Sequence, residues 1–192
     1  MRNFTVWLVI FVAAVLAAPS AFAGERYTFD QQNSKISFEV RHLLGKARGE
    51  FHNFSGTIDL DRDQPERSSV SARIEVNSID TGIKKRDEHL RSAEFFNGQK
   101  FPAITFKSQS VKRTGDQSGD VTGDLTMRGV TRQIVLHVQS LQADNNQSRW
   151  KVTTAPLSRR DFGLMFGGTT EAVSGIGKEV AVNIEIEARR AR

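Results

Sequence analysis

Apolar and polar residues alternate with period two along most of this chain, and that rhythm constrains the fold more than any other feature. In KISFEVRH, residues 35–42, Ile36, Phe38 and Val40 share one face while Lys35, Ser37, Glu39 and Arg41 share the other. Such a segment is a strand with one wet side and one buried side. The pattern returns at Ile58 and Leu60, at Val70, Ala72, Ile74 and Val76, at Ile104 and Phe106, and at Val121, Gly123, Leu125 and Met127. It recurs in Ile134, Leu136 and Val138, in Trp150 and Val152, and in Val180, Val182, Ile184 and Ile186. Turn-rich pieces such as KRTGDQSGD and QADNNQSR separate these runs, with Gly, Asn and Asp suited to tight hairpins. Consecutive strands therefore pair antiparallel.

One segment breaks the rhythm. In TGIKKRDEHLRSAEFF, Ile83, Leu90 and the nearby phenylalanines fit helical spacing, which predicts a short helix over residues 84–92 with Lys85, Asp87, Glu88 and Arg91 outward and Leu90 inward. About eight antiparallel strands with one inserted helix predict an all-β, eight-stranded antiparallel barrel, because closure removes exposed sheet edges; a sandwich is the alternative. A barrel of eight strands is either just filled by its side chains or wide enough for one small ligand.

The first 23 residues read as a signal peptide. Arg2 precedes an apolar run from Val6 to Ala18, then Pro19-Ser20 and the small-residue site Ala21-Phe22-Ala23. About 13 apolar residues are too few to cross a bilayer as a helix, which takes roughly 20. Cleavage after Ala23 leaves one domain, residues 24–192. It also removes Arg2, lowering the formal net charge from +5 to +4. The sequence pI near 9.8 does not point to nucleic acid, since Lys and Arg are scattered among Asp and Glu without regular aromatic interleaving. A mildly cationic surface suits anionic lipid or an acidic head group. With no cysteine, zinc-thiolate, iron-sulfur and thiol chemistry are excluded.

Aromatic usage points toward an apolar interior. Three of the thirteen phenylalanines, Phe4, Phe11 and Phe22, lie in the leader, so ten remain against the single Tyr27. Phenylalanine brings apolar surface without a hydroxyl that needs a partner. Phe95, Phe96, Phe101 and Phe106 crowd one helix-to-strand passage, where a single small core cannot take them all.

Four stretches, in order, resemble the YceI-like family of exported, lipocalin-like, polyisoprenoid-binding barrels: SKISFEVRHLLGKARGEFHNFSG, IDTGIKKRDEHLRSAEFFNGQKFPAITF, VTGDLTMRGVTRQIVL, and SRRDFGL before GKEVAVNIEIEA. The Gly-x-Trp opening of true lipocalins is missing, so the likeness to those is architectural. The resemblance implies residence in the periplasm and an elongated apolar cavity holding a long isoprenoid or other lipid chain, with no further cofactor. Its expected lining is Phe38, Val40, Phe51, Leu90, Phe95, Phe96, Phe101, Phe106, Leu125 and Phe162. Arg128 in MRGVTR and Arg159 in RRDFG, where Arg-x-Asp-Phe-Gly matches the family pattern, are the expected head-group contacts, against the plainer reading of an ion pair with Asp161 or another surface acid. The expected partner is an isoprenoid-like or fatty amphiphile, with transient contact to a membrane or membrane protein and homodimer formation left open.

Neither catalytic nor metal-ligating residues are expected. His42, His52, His89 and His137 form no H-x-H, H-E-x-x-H or 2-His-1-carboxylate spacing, although His42 and His52 would share a metal if an early hairpin brought them together. There is no G-x-S-x-G elbow, and His89 beside Asp87 and Glu88 points in a different direction from both on a helix. The expected function is thus sequestration or transport of a long-chain amphiphile; the alternatives are an enzyme or redox accessory acting on a quinone-like lipid, and a structural barrel filled by its own side chains.

Overall fold

The computed structural model describes residues 24–144, 146–166 and 175–191. The signal peptide expected over residues 1–23 lies outside them. Twelve strands follow one another as β1 Glu25–Phe29, β2 Lys35–His42, β3 Gly45–Phe51, β4 Phe54–Leu60, β5 Ser69–Glu75, β6 Ile79–Asp80, β7 Ala103–Arg113, β8 Ser118–Met127, β9 Val130–Ala143, β10 Gln147–Thr154, β11 Leu157–Ser158 and β12 Glu179–Arg190. The helix α1, Lys84–Arg91, interrupts them between β6 and β7.

These strands make a closed barrel of eight staves. β1 and β2 are two lengths of one stave, broken where Asp30 turns the chain by accepting hydrogen bonds from the Gln32 amide at 3.2 Å and the Asn33 side chain at 2.9 Å. β3 and β4 form the second stave, bent at His52 and Asn53; β5 and β6 belong to the third. β7, β8, β9, β10 and β12 complete the ring, each antiparallel to its neighbour. Closure comes from β12, whose Val180–Glu185 segment pairs with β2 while Ala188–Arg190 pairs with β1. The expected eight-stranded antiparallel barrel is therefore the observed fold.

β1, β3 and the two-residue β6 and β11 do not appear among the strands read from alternation, and for β3 the reason is physical. β3 is GKARGEF, and its inward positions are Ala47, Gly49 and Phe51. Gly49 faces Phe38 across the ladder, and a Cβ there would stand 2.4 Å from the Phe38 ring. The glycine is needed for the ring to lie against the sheet, and that removes the apolar signal from the sequence.

Inward faces elsewhere follow the alternation. Ile36, Ile104, Phe106, Val121, Leu125, Trp150, Val152 and Ile186 are all buried. Two bulges, at Gln109 in β7 and at Leu141 in β9 opposite Arg149/Trp150 of β10, shift the register and increase local twist.

The helix begins at Lys84 as read, but Asp87 is not on its wet side. Asp87 is buried and accepts from both the amide (2.9 Å) and the hydroxyl (2.5 Å) of Thr81. Ile83 at the N-cap offers no side-chain acceptor, so a carboxylate in the first turn ties the helix to the preceding loop instead. Acids there also suit the helix dipole. Lys85 and Glu88 are exposed, whereas Arg91 is half-buried, within 3.5 Å of the carbonyls of Asn77 and Ile79.

Candidate functional site

A cavity of about 970 Å³ lies inside the barrel, near the upper end of the 300–1,000 Å³ typical of small-molecule sites. Its wall is built by inward-facing rows from all eight staves, among them Ile36, Phe38 and Val40 from β2, Ile58 and Leu60 from β4, and Val182, Ile184 and Ile186 from β12. Phe51, Leu90, Phe95, Phe96, Phe106 and Phe162 also face it. Lining residues come from both ends of the staves, so the space runs the length of the barrel.

The ends differ. At the helix end, Thr81, Arg86, His89 and Phe166 reach the cavity beneath α1. Aromatic rings form a chain there: Phe38 to Phe51 at 5.7 Å, Phe51 to Phe96 at 6.3 Å, Phe96 to Phe95 at 5.3 Å, Phe95 to Phe166 at 5.1 Å, and Phe166 stacked on His89 at 5.6 Å. Edge-to-face pairs such as Phe95–Phe96 contribute about 0.5–1.5 kcal/mol beyond the area they bury. At the opposite end, which we call the Tyr27 end, the wall turns polar through Asp61, Arg62, Arg113 and Gln142. Fully buried Tyr27 donates to Glu25 at 2.7 Å, and Arg62 donates to both Glu25 (2.9 Å) and the Tyr27 hydroxyl (3.0 Å). The Tyr27 hydroxyl, aided by Arg62, holds the Glu25 carboxyl below its ordinary range against the opposing effect of burial.

Nine of the ten apolar residues expected at the lining stand there. Phe101 does not: its ring covers Gly129, where a Cβ would come within 2.7 Å, and so packs the β8–β9 turn from outside. The two arginines also separate. Arg159 lines the cavity but is buried, and its guanidinium donates to the carbonyls of Gly177 (2.9 Å), Leu164 (2.8 Å) and Ile176 (3.2 Å). Asp161, the plainer partner considered for it, accepts from Ser158 instead. Arg128 stands outside the lining at positive φ (51°), and donates to the carbonyls of Gly163 and Ala93. It therefore fastens the β8–β9 turn to two loops.

The sequence reading missed Arg86, which lines the cavity while its guanidinium holds the Thr81 hydroxyl and carbonyl, both at 2.8 Å. The signal was present, because Arg86, His89 and Leu90 are spaced i, i+3, i+4 and share one helix face. Ser148 was also missed: its buried hydroxyl, in the cavity wall, has no partner among the described residues.

The histidines do not converge. His42 pairs with Gly45 at one end of the β2–β3 hairpin, whereas Phe51, next to His52, pairs with Ile36 at the other. His52 lies 3.2 Å from Asp80, His137 2.7 Å from Asp120 and His89 3.4 Å from Glu94. Among the described residues, no three His, Asp or Glu side chains are grouped to hold a metal ion.

The YceI-like domain model matches residues 27–188, from the buried Tyr27 to the last inward position of β12. The chain belongs to the YceI-like family. Protein YceI of Salmonella agona is 41% identical over 132 residues, covering 67% of this chain and 68% of its own. A UPF0312 protein of Pectobacterium atrosepticum is 37% identical over 160 residues, covering 80% and 82%. Among solved structures, the YceI protein of Campylobacter jejuni superposes with a TM-score of 0.67 at 27% identity, over 79% of this chain and 90% of that one. Two more distant likenesses concern the fold alone: BcnA of Burkholderia cenocepacia (TM-score 0.77, 23% identity, 83% and 98% covered) and a polyisoprenoid-binding domain from Saccharophagus degradans (0.65, 18%, 86% and 98%).

Proposed function

We propose that this YceI-like barrel is exported to the periplasm and there sequesters or carries a long-chain, isoprenoid-like amphiphile, without covalent chemistry of its own. The observation that carries this reading is the cavity of about 970 Å³ whose wall is phenylalanine, isoleucine, leucine and valine along nearly its whole length. The S. degradans domain of the same fold is named for polyisoprenoid binding, which supports the ligand class. Each buried methylene contributes about 0.8 kcal/mol, so a twenty-carbon chain supplies roughly 16 kcal/mol before ordering and association costs. A tunnel of this kind selects by length and shape more than by polar chemistry.

The orphan Ser148 hydroxyl gives a second support. A buried hydroxyl without a partner costs about 1–3 kcal/mol, and an oxygen on the ligand relieves that cost. Of the two arginines expected at a head group, Arg159 remains in the proposal as a wall residue, and Arg128 acts by positioning the turn that abuts it.

Native mass spectrometry of protein purified from its own compartment is expected to show a co-purifying lipid. Phe38→Asp, which puts a carboxylate into the wall, is expected to weaken rebinding of that lipid by about two orders of magnitude or more. Lys112→Asp, on the outer face of β7, is expected to leave affinity within about twofold. A ligand-free native spectrum, or equal affinity in the two folded variants, would sink this reading.

A further inference from the structure

We infer that the helix end of the barrel is a docking surface for a bilayer carrying anionic head groups. Among the described residues, six large apolar side chains are substantially exposed, and four of them gather at this end: Leu43, Leu44, Ile83 and Met165. Leu43 and Leu44 are the extreme cases, 82% and 91% exposed, and they form the entire two-residue tip between the paired His42 and Gly45. A tight hairpin wants Asn, Asp or Gly at its tip. Leucine serves neither the turn nor the core there, and two in succession point to something outside the molecule that takes them up.

The charges around them name the partner. No acid stands within three positions of either leucine, while Arg41 and Lys46 flank them. Lys178 is exposed beside Gly177, whose amide bonds the Arg41 carbonyl at 2.7 Å. Ile83 is followed by the exposed Lys84 and Lys85. Nearby Asp80 is already engaged, by the Gly82 amide at 2.7 Å and His52 at 3.2 Å, and Glu39 by Lys46 at 2.6 Å and Arg48 at 3.0 Å. Exposed aliphatics bordered by cations are the pattern that lies on an anionic membrane surface, where apolar insertion and charge act together.

The same loops surround the helix end of the cavity. His42 lines it one residue before the leucines, and Arg86 and His89 line it from the helix that Ile83 introduces. Docking in this orientation sets that end of the cavity against the hydrocarbon, so a lipid passes between bilayer and barrel without crossing water. Docking itself stands on exposure and charge; its role in loading the cavity rests on the carrier reading above.

Flotation of the mature protein with phosphatidylcholine vesicles, and with vesicles of phosphatidylcholine mixed with phosphatidylglycerol, tests the inference. The wild type is expected to float with the mixed vesicles and to bind pure phosphatidylcholine far less. Leu43→Ser/Leu44→Ser should lower binding to mixed vesicles roughly tenfold or more, and Lys84→Gln/Lys85→Gln by a similar factor, while Val135→Ser, an exposed residue on β9, binds as wild type. Circular dichroism establishes that each variant is folded. Equal binding to both vesicle types, or wild-type binding by the leucine variant, overturns the inference. So does a concentration-dependent dimer in sedimentation velocity that the leucine variant abolishes while wild type fails to float, since the leucines then serve a second copy of the chain. Native mass spectrometry keeps the two readings apart: protein that retains lipid but does not float defeats only the docking, and protein that floats but is empty defeats only the carrier.

Discussion

The two ends of the barrel are secured by different chemistry. At the helix end the anchoring cation, Arg159, is buried and donates to the backbone carbonyls of Gly177, Leu164 and Ile176. At the Tyr27 end the anchoring cation, Arg62, meets a carboxylate and a phenol. Carbonyls do not titrate and glutamate does. The three carbonyl bonds of Arg159 do not depend on pH, whereas the Arg62 anchor depends on a group whose charge acid removes. Anchors that answer to different variables can be loosened independently, which suits a barrel with a cavity between them.

Removing Arg159 gives the largest expected effect. Arg159→Ala leaves three carbonyls without their charged donor, each such bond being worth about 1.5–3 kcal/mol, so a loss of about 3 kcal/mol or more is expected in urea unfolding. A loss under about 1 kcal/mol would break the contrast between the ends, by showing that these carbonyl bonds do not anchor the helix end.

Tyr27→Phe comes next, with about 1–2 kcal/mol expected from the lost hydroxyl between Glu25 and Arg62. Glu25→Gln sharpens the comparison through pH. Because the folded state holds the Glu25 carboxyl below its ordinary value, its contribution is full above the unfolded glutamate pKa, near 4.3, and is lost as pH falls through the folded value. The stability gap between wild type and Glu25→Gln should be open at neutral pH and close in acid. A gap constant down to the acid transition would show that the Tyr27 end is not governed by this carboxylate.

Lys46→Gln is expected to have the smallest effect, under about 1 kcal/mol by thermal unfolding. Its 2.6 Å contact with Glu39 is largely solvated, and Arg48 remains as an alternative partner.

The barrel was legible because a half-buried strand writes its two faces into alternate positions, and eight such runs were visible from Ile36 to Ile186. The count survived four unread strands because β1, β3 and β6 extend staves already represented by β2, β4 and β5, and β11 is a two-residue pairing on β12. Inward glycine at position 49 hid β3, since only the opposing Phe38 reveals why no side chain is there. The lining was legible wherever a phenylalanine lay on an alternating run or the inner helix face. It failed at Phe101, which follows a turn set by Asn97 at positive φ (53°) and leaves on the outside. The arginines were the least legible. A guanidinium that binds carbonyls selects no particular residue type in its partners, so nothing in the sequence around Leu164 or Ile176 announces Arg159.

β12 has a kinetic consequence. Each hairpin from β7 to β10 joins strands close in the chain and can form early, but the ring exists only once β12 meets β1 and β2, across about 150 intervening residues. Such a contact carries the greatest loop-closure entropy in the fold and forms slowly. Until it does, the hairpins make an open, curled sheet with its apolar face uncovered, able to close around a hydrocarbon chain already lying against it. On the carrier reading proposed above, a barrel that folds beside a lipid is born loaded, and the rate of closure becomes the time allowed for capture.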